Sequence, residues 1–166
     1  MTTRLRAFCL CAAAFALLAL FSGAGFASGG GAEIWLDISK SGHLLRVMSG
    51  GEVLETFGVA VGKNRGQKER AGDMRTPEGE FTVEQIQDSS WWSHDFGDGK
   101  GPVAGAYGPW FIRLATGWRG IGIHGTHDPA SIGTDATEGC VRLRNEDVEK
   151  LKEKYAKIGM RVVIRP

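Results

Sequence analysis

Residues 121–143 read IGIHGTHDPASIGTDATEGCVRL, and the rest of the chain is organised around them. They contain two of the four histidines and Cys140, which is the only cysteine outside the N-terminal apolar segment that holds Cys9 and Cys11. A thiol must lose its proton before it attacks a carbonyl, and a nearby histidine removes that proton near neutral pH. Cys140 is therefore a candidate nucleophile and His124 is its candidate base.

Glycines stand beside both candidate residues. The segment 121–123 predicts a strand end that holds His124 rigidly, and Gly125 lets the chain turn directly after it. Gly139 precedes Cys140 and has no side chain to obstruct a substrate. Taken alone, the pair is explained equally well by a buried thiol and a hydrogen-bonded surface histidine.

The turn before the cysteine is a candidate oxyanion hole. The backbone N–H groups of Glu138, Gly139 and Cys140 are its candidate donors. Thr137 is a candidate support for this turn through a hydrogen bond, although a plain turn residue fits equally well. The carbonyl of Gly125 is a candidate third member that orients the imidazole of the base.

Four motifs occur in a fixed order: TPEGEF at 76–81, HGT at 124–126, TEGCVR at 137–142 and LRNEDV at 143–148. Together they resemble the L,D-transpeptidase (YkuD-type) family, whose signature is His-Gly-Thr, a loop, and Ser/Thr-His-Gly-Cys-Ile/Val-Arg. The resemblance covers about residues 34–164. The chain departs from the pattern at Glu138, where histidine is more common in the family.

The resemblance implies a peptidoglycan L,D-transpeptidase without a cofactor. In such an enzyme Cys140 attacks a carbonyl of a stem tetrapeptide, forms a thioester, and passes the acyl group to an amine so that a cell-wall cross-link forms. One alternative is an L,D-carboxypeptidase or other cysteine hydrolase of peptidoglycan, with water as the acceptor. Another is a non-catalytic wall-binding module, which the departure at Glu138 makes conceivable.

Arg142 is the first candidate for substrate binding, because its guanidinium can hold a carboxylate through two parallel hydrogen bonds. It can equally pair with Glu138 or Asp147 and brace the turn. We expect Glu138 to face away from the sulfur of Cys140 and to pair with Arg142 or a backbone donor. The remaining candidate substrate contacts are Thr126, Tyr107 and Trp110.

A metal site is the less favoured interpretation of the same stretch. His127, Asp128 and Cys140 form a formal zinc-ligand set. The resemblance accounts for these residues without a metal, so we expect no metal ion.

The N-terminus has the pattern of a secretory signal over residues 1–27. Arg4 and Arg6 precede an apolar run at 7–21, and Gly25-Phe26-Ala27 offers small residues for cleavage. An uncleaved membrane anchor is the alternative, although the run is short for a span. Residues 28–31 form a short spacer and residues 32–166 the catalytic domain, which we expect to be exported to the periplasm or cell envelope.

The net charge and the cysteine content of the mature chain limit the kinds of partner that it can be expected to bind. Without Arg4 and Arg6 the 20 basic residues become 18, against 19 acidic residues, so no basic surplus points to nucleic acid or to a membrane beyond the leader. A single remaining cysteine has no intramolecular disulfide partner. We expect a monomer whose partners are peptidoglycan stem peptides.

Alternating apolar residues predict a mainly β fold: a β-sandwich of mixed sheets with one late α-helix. The helix is predicted from an N-cap at Asn145 to a stop at Gly159, with its apolar face formed in part by Ile158. The predicted strands are 33–38, 44–48, 53–61, 81–86, 110–114, 121–124 and 161–165.

Two long loops remain. We name residues 62–75 the charged loop, and its composition favours solvated surface over substrate contact. We name residues 89–108 the aromatic loop, because tryptophan, histidine and phenylalanine stand there among five glycines. A long aromatic loop in a compact domain is usually functional, and we expect this one to cover the site.

Overall fold

A computed structural model describes residues 32–166. The predicted signal at 1–27 and spacer at 28–31 lie outside the described residues. Within residues 32–166, no helix has the length and apolar character needed to cross a membrane.

Strands dominate the described part of the chain, and one α-helix follows them late. The helix α1 is Asn145–Lys154. The strands are β1 Ile34–Ser39, β2 Leu44–Ser49, β3 Glu52–Gly58, β4 Val61–Gly62, β5 Gly79–Asp88, β6 Ser93–His94, β7 Val103–Ala104, β8 Trp110–Leu114, β9 Gly122–His124, β10 Asp135–Thr137, β11 Val141–Arg142 and β12 Arg161–Arg165.

Eight strands form one mixed sheet in the order β11-β9-β8-β5-β12-β1-β2-β3, and two small sheets pair β10 with β4 and β6 with β7. The pairs β1–β12 and β9–β11 are parallel, whereas the other neighbours in the large sheet are antiparallel. The mainly β fold of mixed sheets with one late helix is therefore confirmed.

The sequence pattern explains the strands on either side of the sheet centre. In β1, Leu36 and Ile38 are fully buried and alternate with less buried residues, as expected for a strand with one face on the core. In β12, the consecutive residues Val162, Val163 and Ile164 are all buried, because this strand lies between two others and is covered on both faces.

The predicted strand 53–61 is interrupted, and the interruption matters for the site. Pairing with β2 ends at Gly58, after which Ala60 forms an isolated bridge with Arg142 and the chain resumes as β4 beside β10. The chain thereby leaves the edge of the large sheet and runs alongside β11, next to Cys140.

The helix is shorter than predicted. It ends at Lys154, because Tyr155 leaves the helical conformation with φ −132° and ψ −48°. Ile158 therefore does not belong to the buried helix face and is 70% exposed. Asn145 is the first helical residue and not the N-cap, which is Arg144.

Candidate active site

Strands β9 and β11 bring the two candidate catalytic residues together. Their parallel pairing sets Val141 opposite Ile123 and Arg142 opposite His124, and the amide of Leu143 donates to the carbonyl of His124 at 2.8 Å. His124 is thus the last residue of β9, and Cys140 directly precedes β11. Both side chains line one cavity of about 340 Å³.

The thiol of Cys140 contacts the loop that directly precedes β9. Its Sγ donates to the carbonyl oxygen of Gly120 at 3.2 Å, so the thiol is in its neutral form. Burial raises the pKa of the Cys140 thiol to about 11, and the carboxylate of Glu138 contributes in the same direction. The amide of Gly122 and the guanidinium of Arg142 act against this increase.

His124 is 3% exposed and held on three sides. Its Nδ1 lies 2.6 Å from the carbonyl oxygen of Gly125, its ring stacks on Phe111 with centroids 5.5 Å apart, and Tyr107 meets it edge-on at 5.0 Å. A carbonyl only accepts, so Nδ1 carries the proton and Nε2 is left as the basic nitrogen. Burial lowers the pKa of His124 to about 3.

The resting pair is therefore a neutral thiol and a neutral imidazole. Both pKa shifts have the same first cause, because burial penalises thiolate and imidazolium alike. Proton transfer within the pair has to coincide with the arrival of a substrate that stabilises the charge that develops.

The turn before Cys140 is organised by Thr137. Its Oγ1 donates to the carbonyl of Cys140 at 2.6 Å and accepts the amide of Gly139 at 3.1 Å. The amide of Gly139, one of the three candidate oxyanion donors, is therefore engaged within the turn. The amides of Glu138 and Cys140 remain as the candidate donors.

Glycine is required at position 139. Its φ is +132°, and a Cβ there would stand 2.8 Å from the carbonyl oxygen of Arg75, closer than such atoms approach in proteins. The charged loop therefore packs directly against the turn that carries Cys140.

Asn145 supports the turn after His124, a role that the sequence analysis missed. Its Oδ1 accepts the amide of Thr126 at 2.7 Å and occupies the space where a Cβ of Gly125 would stand. The sequence signal for this contact is the asparagine in the motif LRNEDV at 143–148. The sequence predicts that this asparagine caps the helix, but no side-chain hydrogen bond caps it.

Arg142 is buried beside the cavity without a carboxylate partner among residues 32–166. Its Nη1 donates to Ser131 Oγ at 2.9 Å, and its Nε has no hydrogen-bond partner in the described chain. Burial lowers its pKa. The suggested pairing with Glu138 or Asp147 is therefore wrong.

Glu138 reaches the aromatic loop instead. Its Oε2 lies 3.1 Å from Nε2 of His94, and Nδ1 of His94 lies 3.0 Å from the hydroxyl of Tyr107. The expected pairing of Glu138 with Arg142 or a backbone donor is therefore wrong, and its side chain lines the same cavity as Cys140. Sequence reasoning places His94 in the aromatic loop but misses its contact with Glu138, and it misses Ser131 altogether.

Both long loops contribute to the cavity wall. The aromatic loop contributes His94, Phe96, Ala106 and Tyr107, so its predicted position beside the site is confirmed. The charged loop is exposed over most of its length, as its composition predicts, but part of it also lines the cavity. Its contributions to the cavity wall are Lys68, Ala71, Gly72 and Met74.

A buried ion pair gives the charged loop its shape. Asp73 accepts from Lys68 Nζ at 2.6 Å and from the amides of Glu69, Arg70 and Arg75. These hydrogen bonds hold the pKa of Asp73 well below its usual range against the opposing effect of burial. Lys68 also lies over the ring of Trp118, 5.5 Å from its centroid.

Two candidate substrate contacts lie away from the cavity. Thr126 is 3% exposed, and its hydroxyl accepts the amide of Asp128 at 2.8 Å. Trp110 packs against the core and under Lys152 of α1, with Nζ 4.2 Å from its ring centroid. Both assignments are corrected, because neither residue lines the cavity, whereas Tyr107 does.

The formal zinc set does not assemble. The ring of His127 stacks against Phe96 at 5.3 Å between centroids. Among residues 32–166, no three histidine, cysteine, aspartate or glutamate side chains converge as metal ligands.

The fold and the cavity define a mostly β domain that presents a cysteine and a buried histidine in one cleft. A family model described as the L,D-transpeptidase catalytic domain, YkuD, matches residues 33–164, and the chain belongs to this family.

Relatives and solved structures agree with this assignment. The chain is 31% identical over 129 residues to YkuD of Bacillus licheniformis, whose name assigns it to the L,D-transpeptidases, and 32% identical over 114 residues to YkuD of Bacillus subtilis. The matches cover 78% and 69% of this chain but 64% and 56% of those proteins.

Among solved structures, the fold is similar to an L,D-transpeptidase from Mycobacterium smegmatis, with a TM-score of 0.61 and 19% identity. That match covers 81% of this chain and 59% of the other. L,D-transpeptidase 3 from Mycobacterium tuberculosis, solved with a faropenem-derived adduct, gives a TM-score of 0.60 at 19% identity, covering 81% and 61%. At this identity the likeness concerns the fold.

Proposed function

We propose that this chain is a cysteine L,D-transpeptidase that acts outside the cytoplasm on peptidoglycan stem peptides. One observation carries the proposal beyond family membership. His124 ends β9 and Cys140 directly precedes β11, the strand paired in parallel with β9, so both side chains line one cavity, and the imidazole is fixed so that Nε2 is free. This arrangement fits a nucleophile with its base.

The first half-reaction forms a thioester. When a stem-peptide carbonyl enters the cavity, the thiol hydrogen of Cys140 turns from Gly120 to Nε2 of His124. The sulfur bonds to the carbonyl carbon, and the amides of Glu138 and Cys140 receive the developing oxyanion. The carbon–nitrogen bond then breaks, and His124 returns the proton to the departing terminal D-amino acid.

The second half-reaction consumes the thioester. An amine of a second stem peptide attacks the acyl carbon and forms an amide, and the carbon–sulfur bond breaks. His124 takes a proton from the attacking nitrogen and gives it to the leaving sulfur of Cys140. With water in place of the amine, the same steps give hydrolysis, which is the second candidate activity.

Arg142 fits the role of a carboxylate anchor in the bound peptide. It is 6% exposed, lines the cavity and has an unused Nε–H, so a substrate carboxylate would satisfy a buried donor that has no partner within residues 32–166. Tyr107 also lines the cavity and is a second candidate contact, whereas Thr137 holds the turn before Cys140 and the carbonyl of Gly125 holds the imidazole of His124.

The experiment follows the covalent intermediate. Intact-mass measurement after mixing with a carbapenem should show one adduct on the wild-type chain and none on Cys140→Ala. Product analysis with a stem tetrapeptide, with and without an amine acceptor, then separates a transpeptidase from a hydrolase. A wall-binding module that is not an enzyme would form neither an adduct nor a product.

The proposal that the protein is exported rests only on its N-terminal leader. The apolar run at 7–21 and the small residues at 25–27 support cleavage near Ser28. N-terminal sequencing of the protein from its native host should find a start near Ser28, and a retained Met1 would favour the anchor instead.

A further inference from the structure

The charges around the cavity are divided unequally. Among the residues that line it in the described chain, three are cationic, namely Lys68, Arg119 and Arg142, and Glu138 is the only acidic one. Lys68 is already neutralised by Asp73 behind the wall. A ligand with a carboxylate and a ligand with an ammonium group would therefore be drawn to different parts of the same cavity.

Glu138 is available to a ligand. Its side chain is 40% exposed, and only Oε2 is engaged, by Nε2 of His94. Within residues 32–166 this is the one side-chain hydrogen bond of Glu138, which leaves Oε1 free to accept from a second donor. Glu138 lines the same cavity as Cys140, and its charge acts on the Cys140 thiol, so a ligand in this cavity can contact both residues.

His94 holds this carboxylate in place. The hydroxyl of Tyr107 lies 3.0 Å from Nδ1, so in neutral His94 the hydroxyl donates to Nδ1 and Nε2–H donates to Glu138. The phenol, the imidazole and the carboxylate then carry a net charge of one negative unit. Two chain segments, the aromatic loop and the turn at 137–140, thereby fix one anionic position at the cavity wall.

We propose that Glu138, positioned by His94, binds the ammonium group of the acyl acceptor and selects cationic amines as second substrates. The inference rests on the proposed function, and it names the residue that distinguishes an amine from water at the thioester. Glu138 acts here as a specificity-determining residue, and His94 as a positioning residue.

The proton balance is consistent with this role. The ammonium that binds to Glu138 loses one proton to solvent before attack, because only the free amine carries a lone pair. The amine nitrogen then bonds to the acyl carbon, the carbon–sulfur bond breaks, and a second proton passes through His124 to the sulfur. Ammonium and thioester thus give an amide, the Cys140 thiol and one released proton.

The test compares two acceptors of nearly equal size. Methylamine is a cation at neutral pH and hydroxylamine is neutral. With a stem tetrapeptide as acyl donor, the ratio of aminolysis to hydrolysis product, plotted against acceptor concentration, reports acceptor capture by the acyl-enzyme alone. Because both products arise from the same thioester, a slower acylation does not change this ratio.

Glu138→Gln should lower the slope for methylamine by about tenfold relative to the slope for hydroxylamine, since it removes one charge–charge contact. Asp98→Asn is the matched control, because it removes the same charge from the tip of the aromatic loop, where Asp98 pairs with Lys100. It should leave both slopes as in the wild type. His94→Gln should lower the methylamine slope less than Glu138→Gln, because the carboxylate remains.

Equal losses for both acceptors in Glu138→Gln would overturn the proposal and leave Glu138 as a structural link between the two segments. Unchanged slopes would overturn it as well, while the transpeptidase assignment stands. If the wild type forms a thioester that only water resolves, the inference and the transferase activity fail together.

A measurement on the wild type alone guards against a variant that does not fold. Added salt screens a partly exposed charge. The methylamine slope should therefore fall between about 0.05 and 0.5 M NaCl, whereas the hydroxylamine slope should stay constant. A methylamine slope that is insensitive to salt would contradict charge recognition.

Discussion

At the scale of single residues, the burial of Cys140 predicts an unusual pH profile. The pKa of its thiol is raised to about 11, so the reactive thiolate is scarce at neutral pH in the free protein. The rate of alkylation by iodoacetamide should rise about tenfold per pH unit from pH 7 to 9.5 without a plateau. A plateau below pH 8 would indicate a resting thiolate–imidazolium pair instead.

Glu138 contributes to that pKa less than burial does. Glu138→Gln should therefore lower the pKa of Cys140 by well under one unit, so its alkylation at fixed pH should accelerate by less than about tenfold. A decrease of a full unit or more would show that the carboxylate, and not burial, sets the state of the thiol.

The lowered pKa of His124 predicts that the protein loses stability in acid. Its pKa is about 3 in the folded protein, against 6.5 in an unfolded chain. Between these values the unfolded state binds a proton that the folded state does not, so the contribution is present above pH 6.5 and is lost as the pH falls toward 3. The free energy of unfolding should decrease by about 1.4 kcal/mol per pH unit in this range from His124 alone.

The measurement compares urea unfolding of the wild type and His124→Gln at several pH values between 7 and 4. The carboxylates titrate in both proteins, so the difference in slope isolates the histidine. Parallel pH dependences in the two proteins would contradict a neutral buried imidazole.

The residues of the catalytic pair were predictable because their chemistry needs these residue types in a recognisable motif. The partner of Glu138 was not predictable, because His94 lies 44 residues earlier and reaches it only through the fold. Thr126 and Trp110 were misplaced for a similar reason. Each lies within three residues of a side chain that lines the site, His124 or Tyr107, but its own side chain packs elsewhere.

At the scale of elements, α1 and the turn after β9 depend on each other through Asn145. Asn145→Ala removes the acceptor of the Thr126 amide and should destabilise the protein by about 1–3 kcal/mol, the cost of an unpaired buried donor. It should also slow acylation of Cys140, because the same turn holds the carbonyl of Gly125 against His124. Urea unfolding and carbapenem adduct formation measure the two effects.

Asn145→Asp is the matched control, since a carboxylate oxygen still accepts from the Thr126 amide. It should retain most of the stability and of the acylation rate. If Asn145→Ala and Asn145→Asp behave alike, the contact with Thr126 does not support the site.

Strand positions and the position of the aromatic loop followed from the sequence, whereas the contribution of the charged loop to the cavity did not. Alternation marks which residues face a core, so 110–114 and 161–165 were predicted at their exact bounds. The charged loop carries no such periodicity. Its position at the cavity wall arises from Asp73, whose carboxylate collects Lys68 and three backbone amides within a few residues. Composition alone does not reveal that arrangement.

At the scale of the whole molecule, the last strand connects the two parts of the large sheet. β12 pairs in parallel with β1, the first described strand, and antiparallel with β5. It therefore joins the hairpins of the N-terminal part to the strands that carry His124 and Cys140. Periodicity predicted the strand itself, but its place between β1 and β5 depends on contacts across more than a hundred residues.

Removal of residues 161–166 should prevent folding of the domain. Val162, Val163 and Ile164 are buried, and burying such side chains contributes about 1.5–3 kcal/mol each, which together approaches the whole stability of a typical domain. The loss also leaves β1 and β5 with unpaired inner edges. Circular dichroism and urea titration should show no cooperative transition, whereas a chain lacking only the exposed Pro166 should unfold like the wild type. A cooperative transition in the chain without 161–166 would mean that the two parts of the sheet are stable separately.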